Sequence, residues 1–332
     1  MKSPFTGKEM SIRREKRMLN FRKEEIEIDF HYYYCEDTGE KFESDDLAEL
    51  NRLQVLNKYR ERLNLPFPEK IIEIRKKYGI PASTMSDILG FGVNTYRNYE
   101  NGEIPSTANA RLMQMIEHSG EFAKMVDLSK NLLQKEREKI LRRISQLNEN
   151  TRKPNPIAGD WLLSTGNPNE FNGYRQFDFE KAARIAVYFA EKMQLWKTTL
   201  NKLLFYCDFY HFKENCYSIS GLNYRAIQLG PVPANFDTLF DQIVVNNHLS
   251  VEYNEFPNGA LGERYIPGQN ITFNPEFFND SEIKTMVMVH EKFKNMTAQQ
   301  IIELSHIEKA WKENQKEKKI ISYYYAFEME ND

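Results

Sequence analysis

The sequence has few cysteines and no long hydrophobic segment. Its 332 residues include three cysteines, Cys35, Cys207 and Cys216, which are too few for a disulfide-stabilised scaffold. No apolar run approaches the roughly 18 residues that a membrane-spanning helix needs. The first residues also lack the apolar core of a signal peptide. These absences predict a cytoplasmic protein without a membrane partner.

Sequence motifs of catalysis are also missing. The chain contains no P-loop, no Gly-x-Ser-x-Gly turn and no His-Glu-x-x-His motif. Asp208 and His211 lie three apart on a predicted helix, and with His290 and His306 they leave a metal-dependent hydrolase as the enzyme alternative. Cys207 lies among apolar residues and is interpreted as a buried thiol. We predict a binding protein that has no enzymatic activity, cofactor or metal.

The composition that is present suits a folded chain of two or three domains. Apolar residues make up 41% and charged residues 28% of the chain. Residues 1–50 hold 9 Lys/Arg and 13 Asp/Glu, residues 51–150 hold 17 and 12, and residues 151–332 hold 19 and 23. A basic middle between acidic flanks predicts a polyanion contact in the middle and neutral or basic partners elsewhere.

Residues 1–50 are predicted to form a small β-ribbon unit. Ser11–Phe21 and Glu24–Tyr34 have strand patterns. Ser3-Pro-Phe-Thr6 and Cys35-Glu-Asp-Thr38 stand where a zinc ribbon has its two C-x-x-C knuckles, and each is followed by Gly. Because only Cys35 supplies a thiolate, the unit is interpreted as a ribbon that has lost its metal. Two unrelated turns are the alternative.

Residues 51–118 are predicted to form a helix-turn-helix domain of the five-helix type. The expected helices cover 45–64 and 69–78, begin at Pro81, cover 93–99 after the turn Gly90-Phe91-Gly92, and begin at Ser106. The expected core holds apolar residues of these helices: Ile72, Met85, Leu89, Phe91, Tyr96 and Tyr99. Ser86 is expected where a small residue lets two helices approach.

The third of the short helices carries the candidate DNA-binding residues. Asn94, Arg97 and Asn98 share one face by helical spacing, Thr95 lies beside them, and Thr84 lies on the preceding helix. In the major groove an Asn reads adenine and an Arg reads guanine. Three further cations are candidate phosphate contacts: Lys76, Lys77 and Arg111. The alternative is a solvated polar face of a structural bundle.

Three regions complete the chain. Residues 119–149 are predicted to form one long helix, residues 150–176 a linker, and residues 177–332 a larger helical domain with a small inserted sheet. An apolar stripe on the long helix is either a homodimer seam or a packing surface; it consists of Val126, Leu133, Ile140, Ile144 and Leu147. In the linker, Asp160-Trp161-Leu162-Leu163 is a candidate docking segment. The predicted fold class is α+β, mainly α.

The N-terminal ribbon and the helix-turn-helix together resemble MqsA-type antitoxins, which join a zinc ribbon to an Xre-like DNA-binding domain. The stretch from Gly90 to Gly102, GFGVNTYRNYENG, carries the resemblance. In that family an Asn and an Arg four residues later read DNA. Asn94 matches the Asn, whereas Asn98 stands at the Arg position and Arg97 precedes it. The resemblance implies operator binding and leaves the base preference open.

The C-terminal region resembles the SocA-like antitoxin domain, also called Panacea. Four stretches carry this resemblance: Leu200–Tyr206, Ser220–Tyr224, Gly230–Pro233 and Leu304–Trp311. The resemblance implies a type II antitoxin that binds a toxin encoded next door, while the helix-turn-helix represses the shared promoter. Tyr224, Pro231 and Trp311 are candidate toxin contacts or, alternatively, buried framework residues. A ligand-sensing transcriptional regulator and an adaptor that presents a toxin to a protease are the other functional alternatives.

Overall fold

An N-terminal three-stranded sheet precedes a body of helices that carries two further small sheets. The computed structural model describes residues 1–150, 163, 165–255, 259 and 261–329. The predicted fold class, α+β and mainly α, is confirmed. The described residues group into two compact units. The first unit comprises Met1–Arg13, His31–Leu53 and the described part of Gly159–Asp332, and the second comprises Arg14–Phe30 and the described part of Gln54–Ala158.

The predicted ribbon strands form with the predicted bounds. Strand β1 (Ser11–Phe21), β2 (Glu24–Tyr34) and β3 (Lys41–Phe42) are neighbours in that order. Helix α1 (Asp45–Leu63) follows, and two of its buried amides pair with the β2 backbone. The backbone of Asp29 exchanges two hydrogen bonds with the Gln54 side chain, at 3.1 and 2.8 Å. His31 does the same with Asn51, at 2.8 and 2.9 Å. These amides satisfy backbone groups that would otherwise be buried without partners.

The helix-turn-helix domain is built from short helices. They are α2 (Pro68–Tyr78), α3 (Ala82–Leu89), α4 (Thr95–Glu100), α5 (Thr107–Met115) and α6 (Ser119–Leu128). Gly79 and Gly90 end α2 and α3 in the left-handed conformation, with φ of 67° and 68°. Of the predicted core, Met85, Leu89, Tyr96 and Tyr99 are buried, and Phe91 is half-buried and packs against them. Ile72 is half-buried, because Ile71 and Ile74 face inward instead.

The predicted long helix over 119–149 is wrong, because two helices form there. Helix α6 ends at Leu128, and α7 (Gln134–Asn150) begins after a short connection. The Arg137 guanidinium donates to the carbonyls of Asp127 and Ser129, at 2.8 and 2.6 Å, and so satisfies the end of α6.

The apolar stripe serves packing within the second unit. Val126, Ile140 and Ile144 are buried in the core of the helix-turn-helix domain, and Leu147 packs against that core. Leu133 alone of the predicted stripe is largely exposed, at 70%. The packing interpretation is therefore the one that the structure supports, since the buried part of the stripe is not available as a homodimer seam.

The C-terminal region consists of helices around one fully buried helix. Its elements are α8 (Phe179–Lys192), β4 (Leu195–Trp196), α9 (Lys197–Asn215), β5 (Tyr224–Ile227), β6 (Gly230–Pro233), α10 (Phe236–Val245), β7 (Leu249–Glu255), β8 (Leu261–Pro267), α11 (Asp280–Phe293), α12 (Ala298–Ile307) and α13 (Lys309–Lys312). The sheets have the orders β4-β8-β7 and β5-β6. Helix α9 is buried on all sides from Thr199 to Phe212, as expected of a helix at the centre of a domain.

Part of the predicted linker packs into the first unit. Asn172, Tyr174 and Arg175 are at most 6% exposed. Of the candidate docking segment, Leu163 is buried, and residues 160–162 lie outside the described residues. A folded segment therefore precedes α8 directly.

Candidate functional site

Helix α4 presents the predicted DNA-reading residues to solvent, but it starts later than predicted. Asn94 is its N-terminal cap rather than a helical residue, with φ −104° and ψ 0°. Its carbonyl accepts a helical hydrogen bond from the Asn98 N–H at 2.9 Å, which keeps Asn94 one turn before Asn98. Asn94, Arg97 and Asn98 are exposed, whereas Thr95 and Thr84 are half-buried. The three exposed residues offer amide and guanidinium groups at the start of a helix, which is the chemistry that reads base edges.

Two tyrosines hold α4 in place from its inner face. Tyr96 is fully buried, and its hydroxyl donates to the carbonyl of Ile71 in α2 at 2.8 Å. Burial raises the pKa of Tyr96, so the phenol remains a donor. Tyr99 is 5% exposed, and its hydroxyl accepts from Asn109 in α5 at 2.8 Å. The Arg75 guanidinium pairs with Glu100 at 2.5 Å and ties the end of α4 to α2.

Ser86 does more than the predicted spacing role. It is fully buried in α3, and its hydroxyl accepts from the Tyr96 N–H at 3.1 Å. That N–H lies in the first turn of α4, where helices have no internal partner. A residue of α3 therefore satisfies the start of α4, the helix predicted to read DNA, and the sequence pattern offered no signal for this contact.

The loop that follows α4 is held by two arginines that sequence reasoning missed. Arg22, in the β1–β2 turn, donates to the carbonyls of Ile104 and Pro105 at 2.8 and 3.2 Å. Arg60 of α1 donates to the carbonyl of Gly102 at 2.7 Å. Such long-range contacts to carbonyls leave no periodic trace in a sequence.

The predicted phosphate contacts differ in their availability. Lys76 and Arg111 are exposed. Lys77 is half-buried, and its ammonium donates to the carbonyl of Glu117 at 2.7 Å, so it has a structural partner within the fold. Lys76 and Arg111 are therefore the better candidates for backbone contacts.

The two degenerate knuckles meet in the first unit. The Cys35 thiol donates to the Ser3 hydroxyl at 3.3 Å, and both residues are at most 3% exposed. The Ser3 hydroxyl also accepts from the N–H groups of Phe5 and Thr6, at 3.3 and 3.4 Å. Gly7 and Gly39, which follow the knuckles, have φ of 68° and 72°. The turns therefore keep a knuckle-like arrangement in which hydroxyls stand in for thiolates.

This donor set does not fit zinc. Tetrahedral structural zinc takes thiolate and imidazole ligands, whereas these positions offer one thiol and three hydroxyls, from Ser3, Thr6, Cys35 and Thr38. When Cys35 is ionised, the hydroxyls of Ser3 and Thr38 can donate to the thiolate, and these hydrogen bonds lower the pKa of Cys35 to about 7. In the part of the chain that the structure describes, no three His, Cys, Asp or Glu side chains group as metal ligands would.

Asp208 and His211 are held in separate hydrogen-bond networks. Asp208 is fully buried and accepts from the N–H groups of Ile219 and Ser220, both at 2.8 Å, from the Tyr224 hydroxyl at 2.7 Å and from the Ser220 hydroxyl. Burial raises its pKa despite these donors. The carboxylate therefore organises the turn before β5.

The imidazole of His211 is occupied at both nitrogens. One nitrogen lies 2.7 Å from the Tyr217 carbonyl and the other lies 3.0 Å from the Ser281 hydroxyl. Burial lowers the pKa of His211 to about 4, so the ring is neutral. The geometry gives no support to a hydrolytic metal site on Asp208 and His211.

The three candidate toxin contacts have different environments. Tyr224 is fully buried, and Pro231 is buried in β6. Trp311 is half-buried; its indole N–H donates to the Ile227 carbonyl at 2.6 Å, and its ring stacks on His306 with a centroid distance of 3.9 Å. Tyr224 and Pro231 are thus framework residues, because a partner at the surface does not reach them. Of the three, Trp311 retains some exposed surface.

Three of the resembling stretches meet at one buried lysine. Lys202 is 1% exposed, and its ammonium donates to the Pro231 carbonyl at 3.0 Å. Burial lowers the pKa of Lys202 to about 7. Gly230 has φ 99°, and a Cβ there would lie 2.4 Å from the Ser305 hydroxyl and 2.7 Å from the Lys202 side chain. Only glycine fits this contact. Cys207 is fully buried on the same helix, as predicted, and burial raises its pKa.

Comparisons with known proteins agree with both resemblances. None of the helices in the described residues is long and apolar enough to cross a bilayer. No curated protein matches the chain. Residues 200–312 match the family model described as antitoxin SocA-like, Panacea domain. Residues 1–126 match the model described as the antitoxin component of the bacterial toxin-antitoxin system MqsA. The chain is therefore similar to MqsA-type antitoxins over its first 126 residues and to the SocA-like Panacea domain over residues 200–312.

Proposed function

We propose that the protein is the antitoxin of a type II toxin-antitoxin system, which binds its toxin directly and represses its own promoter. One observation carries the proposal: a single chain contains two regions that each match an antitoxin family. The MqsA-like region would bind the operator as double-stranded DNA. The Panacea domain would bind the cognate toxin.

The surface of α4 supports the operator-binding half of the proposal. Asn94, Arg97 and Asn98 are exposed at one end of a helix whose other face is anchored by Tyr96 and Tyr99. Residues 51–150 carry 17 Lys/Arg against 12 Asp/Glu, which favours approach to DNA. A rigid helix with a free polar face and a basic surround is what major-groove recognition requires.

The C-terminal region supports a binding role rather than a catalytic one. Three buried titratable groups whose pKa values are shifted, Asp208, His211 and Lys202, each have a protein partner. A catalytic group must be reachable by substrate. We therefore place the function of this region on its surface and assign it no reaction.

A growth test decides the central proposal. The neighbouring open reading frame is induced with and without this protein, and the proposal expects growth arrest that co-expression relieves. The variant Tyr99→Asp tests whether rescue depends on the DNA-binding domain. When this variant is expressed from a heterologous promoter, it should still rescue growth if the toxin is neutralised by direct binding. A harmless neighbour would contradict the proposal and favour the ligand-sensing regulator.

A further inference from the structure

The β7–β8 hairpin has an apolar face that is covered at one end and bare at the other. Tyr253 lies opposite Glu263, and Val251 lies opposite Tyr265, so these side chains point to the same side of the hairpin. Tyr265 is 3% exposed and packs on Phe240 of α10 with ring centroids 5.7 Å apart. Helix α10 therefore covers the base of this face.

The same face continues beyond α10 as exposed apolar surface. Tyr253 is 69% exposed and Leu261 is 71% exposed. Leu261 lies two residues from Glu263, the direct partner of Tyr253, so the two apolar side chains are diagonal neighbours on one face. A scattered apolar side chain on a surface needs no explanation, but a tyrosine beside a leucine has the composition of an interface anchor.

Carboxylates lie beside the covered end of this face, next to Tyr265. Asp237 and Asp241 are exposed one turn apart on α10, and Val245, one turn further, is 75% exposed. Burial raises the pKa of Tyr265, and so do the negative charges of Glu263, Asp241 and Asp237. All three carboxylates therefore lie near the Tyr265 ring. Lys197 neutralises part of this charge by pairing with Asp237 and Glu263, each at 3.1 Å.

We propose that the toxin docks on this surface, the hairpin patch, which consists of Tyr253, Leu261, Asp237 and Asp241. The proposal rests on the proposed antitoxin function and names its partner-binding surface. Charge complementarity identifies the occupant as a protein face that is apolar at its centre and basic around it. The negative balance of residues 151–332, with 19 Lys/Arg against 23 Asp/Glu, acts in the same direction.

The test measures binding of the full-length chain to the purified product of the neighbouring open reading frame. The variant Tyr253→Ala/Leu261→Ala should weaken binding at least about tenfold, since anchor residues carry most of the affinity of an interface. Asp237→Asn/Asp241→Asn should weaken binding about threefold or more at low salt and flatten its salt dependence. Both variants should lose growth rescue in the same order.

Matched controls separate the patch from general surface effects. Val287→Ala/Met288→Ala removes two apolar residues that are 44% and 40% exposed on α11, and Glu303→Lys reverses an exposed charge on α12. Each control should stay within about twofold of wild type. Thermal melting of all variants should match wild type, because every substituted side chain is exposed.

The outcomes distinguish this inference from the proposed function. If the wild-type chain binds the toxin and the patch variants bind equally well, the docking site is wrong and the antitoxin function stands. If the wild-type chain does not bind, both fall. If the patch variants instead change the oligomeric state in light scattering, a second copy of the chain occupies the patch and the toxin does not.

Discussion

The stretch from Gly90 to Gly102 exposes its recognisable residues to solvent, whereas the stretches that resemble the Panacea domain bury theirs. In the stretch from Gly90 to Gly102, the residues that distinguish the motif, Asn94 and Arg97, face solvent. In the region that resembles the Panacea domain, Lys202, Tyr224 and Pro231 are buried. The Lys202 ammonium donates to the Pro231 carbonyl, and the Tyr224 hydroxyl donates to the Asp208 carboxylate. A recognisable stretch thus marks an interface where folding leaves it exposed and marks a scaffold where folding buries it.

The degenerate ribbon shows a third outcome, in which the turns persist after the chemistry has changed. Ser3 receives N–H groups from Phe5 and Thr6 as a knuckle thiolate would. The turns therefore have a knuckle-like backbone, whereas their four knuckle side chains supply one thiol and three hydroxyls. The ribbon therefore gives the strongest test of the comparison between scaffold and site, because changing side chains alone should turn its scaffold into a binding site.

Restoring three cysteines should restore zinc. In the triple variant Ser3→Cys/Thr6→Cys/Thr38→Cys, we expect one zinc per chain by elemental analysis, because Cys35 Sγ already lies 3.3 Å from the Ser3 oxygen. Thiolates in a tetrahedral zinc site are about 3.7 Å apart. Zinc binding of about 10 kcal/mol or more would also make the melting temperature sensitive to chelators. The same triple variant with Cys35→Ser is the control and should bind far less zinc; an empty triple variant would show that the turns are not a zinc scaffold.

Removing a buried acceptor in the Panacea region should cost more stability than any surface change. Asp208→Ala leaves the N–H groups of Ile219 and Ser220 and the hydroxyl of Tyr224 without their acceptor. We expect a loss of about 3–5 kcal/mol in the free energy of unfolding, measured by urea titration with circular dichroism. Asp241→Ala, an exposed carboxylate, should change it by less than about 0.5 kcal/mol. Equal effects of the two would refute the scaffold role.

The stability of the same region should fall in mild acid. The folded pKa of His211 is about 4, below its ordinary value of 6.5, so the unfolded chain binds more protons between these values. The stabilisation is complete above pH 6.5 and is lost as the pH falls towards 4, by about 3 kcal/mol. Unfolding measured from pH 7.5 to 4 should have a flatter pH profile in His211→Gln than in wild type. Parallel profiles would remove His211 from this role.

On the exposed motif, a single substitution should alter recognition and leave stability unchanged. Asn94→Ala should lose about 1–3 kcal/mol of discrimination between operator and unrelated DNA in a gel-shift titration. Asp127→Ala, which replaces an exposed residue of α6, is the control and should bind as wild type does. Unchanged discrimination by Asn94→Ala would mean that the helix-turn-helix positions other residues for base reading.

Sequence reasoning was strongest where structure is local. Both ribbon strands, α8 and the ends of α2 and α3 at Gly79 and Gly90 agree with the patterns that predicted them. The alternation of apolar and polar residues in a strand, the helical spacing of apolar residues and a glycine at a left-handed helix cap all involve neighbouring residues. They can therefore be recognised in the sequence. The break between α6 and α7 was missed because Arg137 caps it from a distance of several residues.

Burial of polar residues was the property that patterns did not reveal. Lys202, Gln54 and Asn51 are each at most 3% exposed, although a polar residue on a predicted helix is ordinarily assigned to the solvent side. Each is buried because a backbone group from a distant segment meets its side chain. Such pairings depend on which segments meet, and no window of sequence contains both partners.

The sequence by itself determined the local elements, the two antitoxin resemblances and the presence of a single thiol, Cys35, at the four knuckle positions. These follow from residue identity and spacing, which act over one or two turns of chain. Tertiary structure alone decided that Asn94 and Arg97 are exposed while Tyr224 and Pro231 are enclosed, and it left Tyr253 and Leu261 bare beyond the end of α10. Exposure is set by which distant segments exclude water from a side chain, and that becomes defined only once the chain has packed.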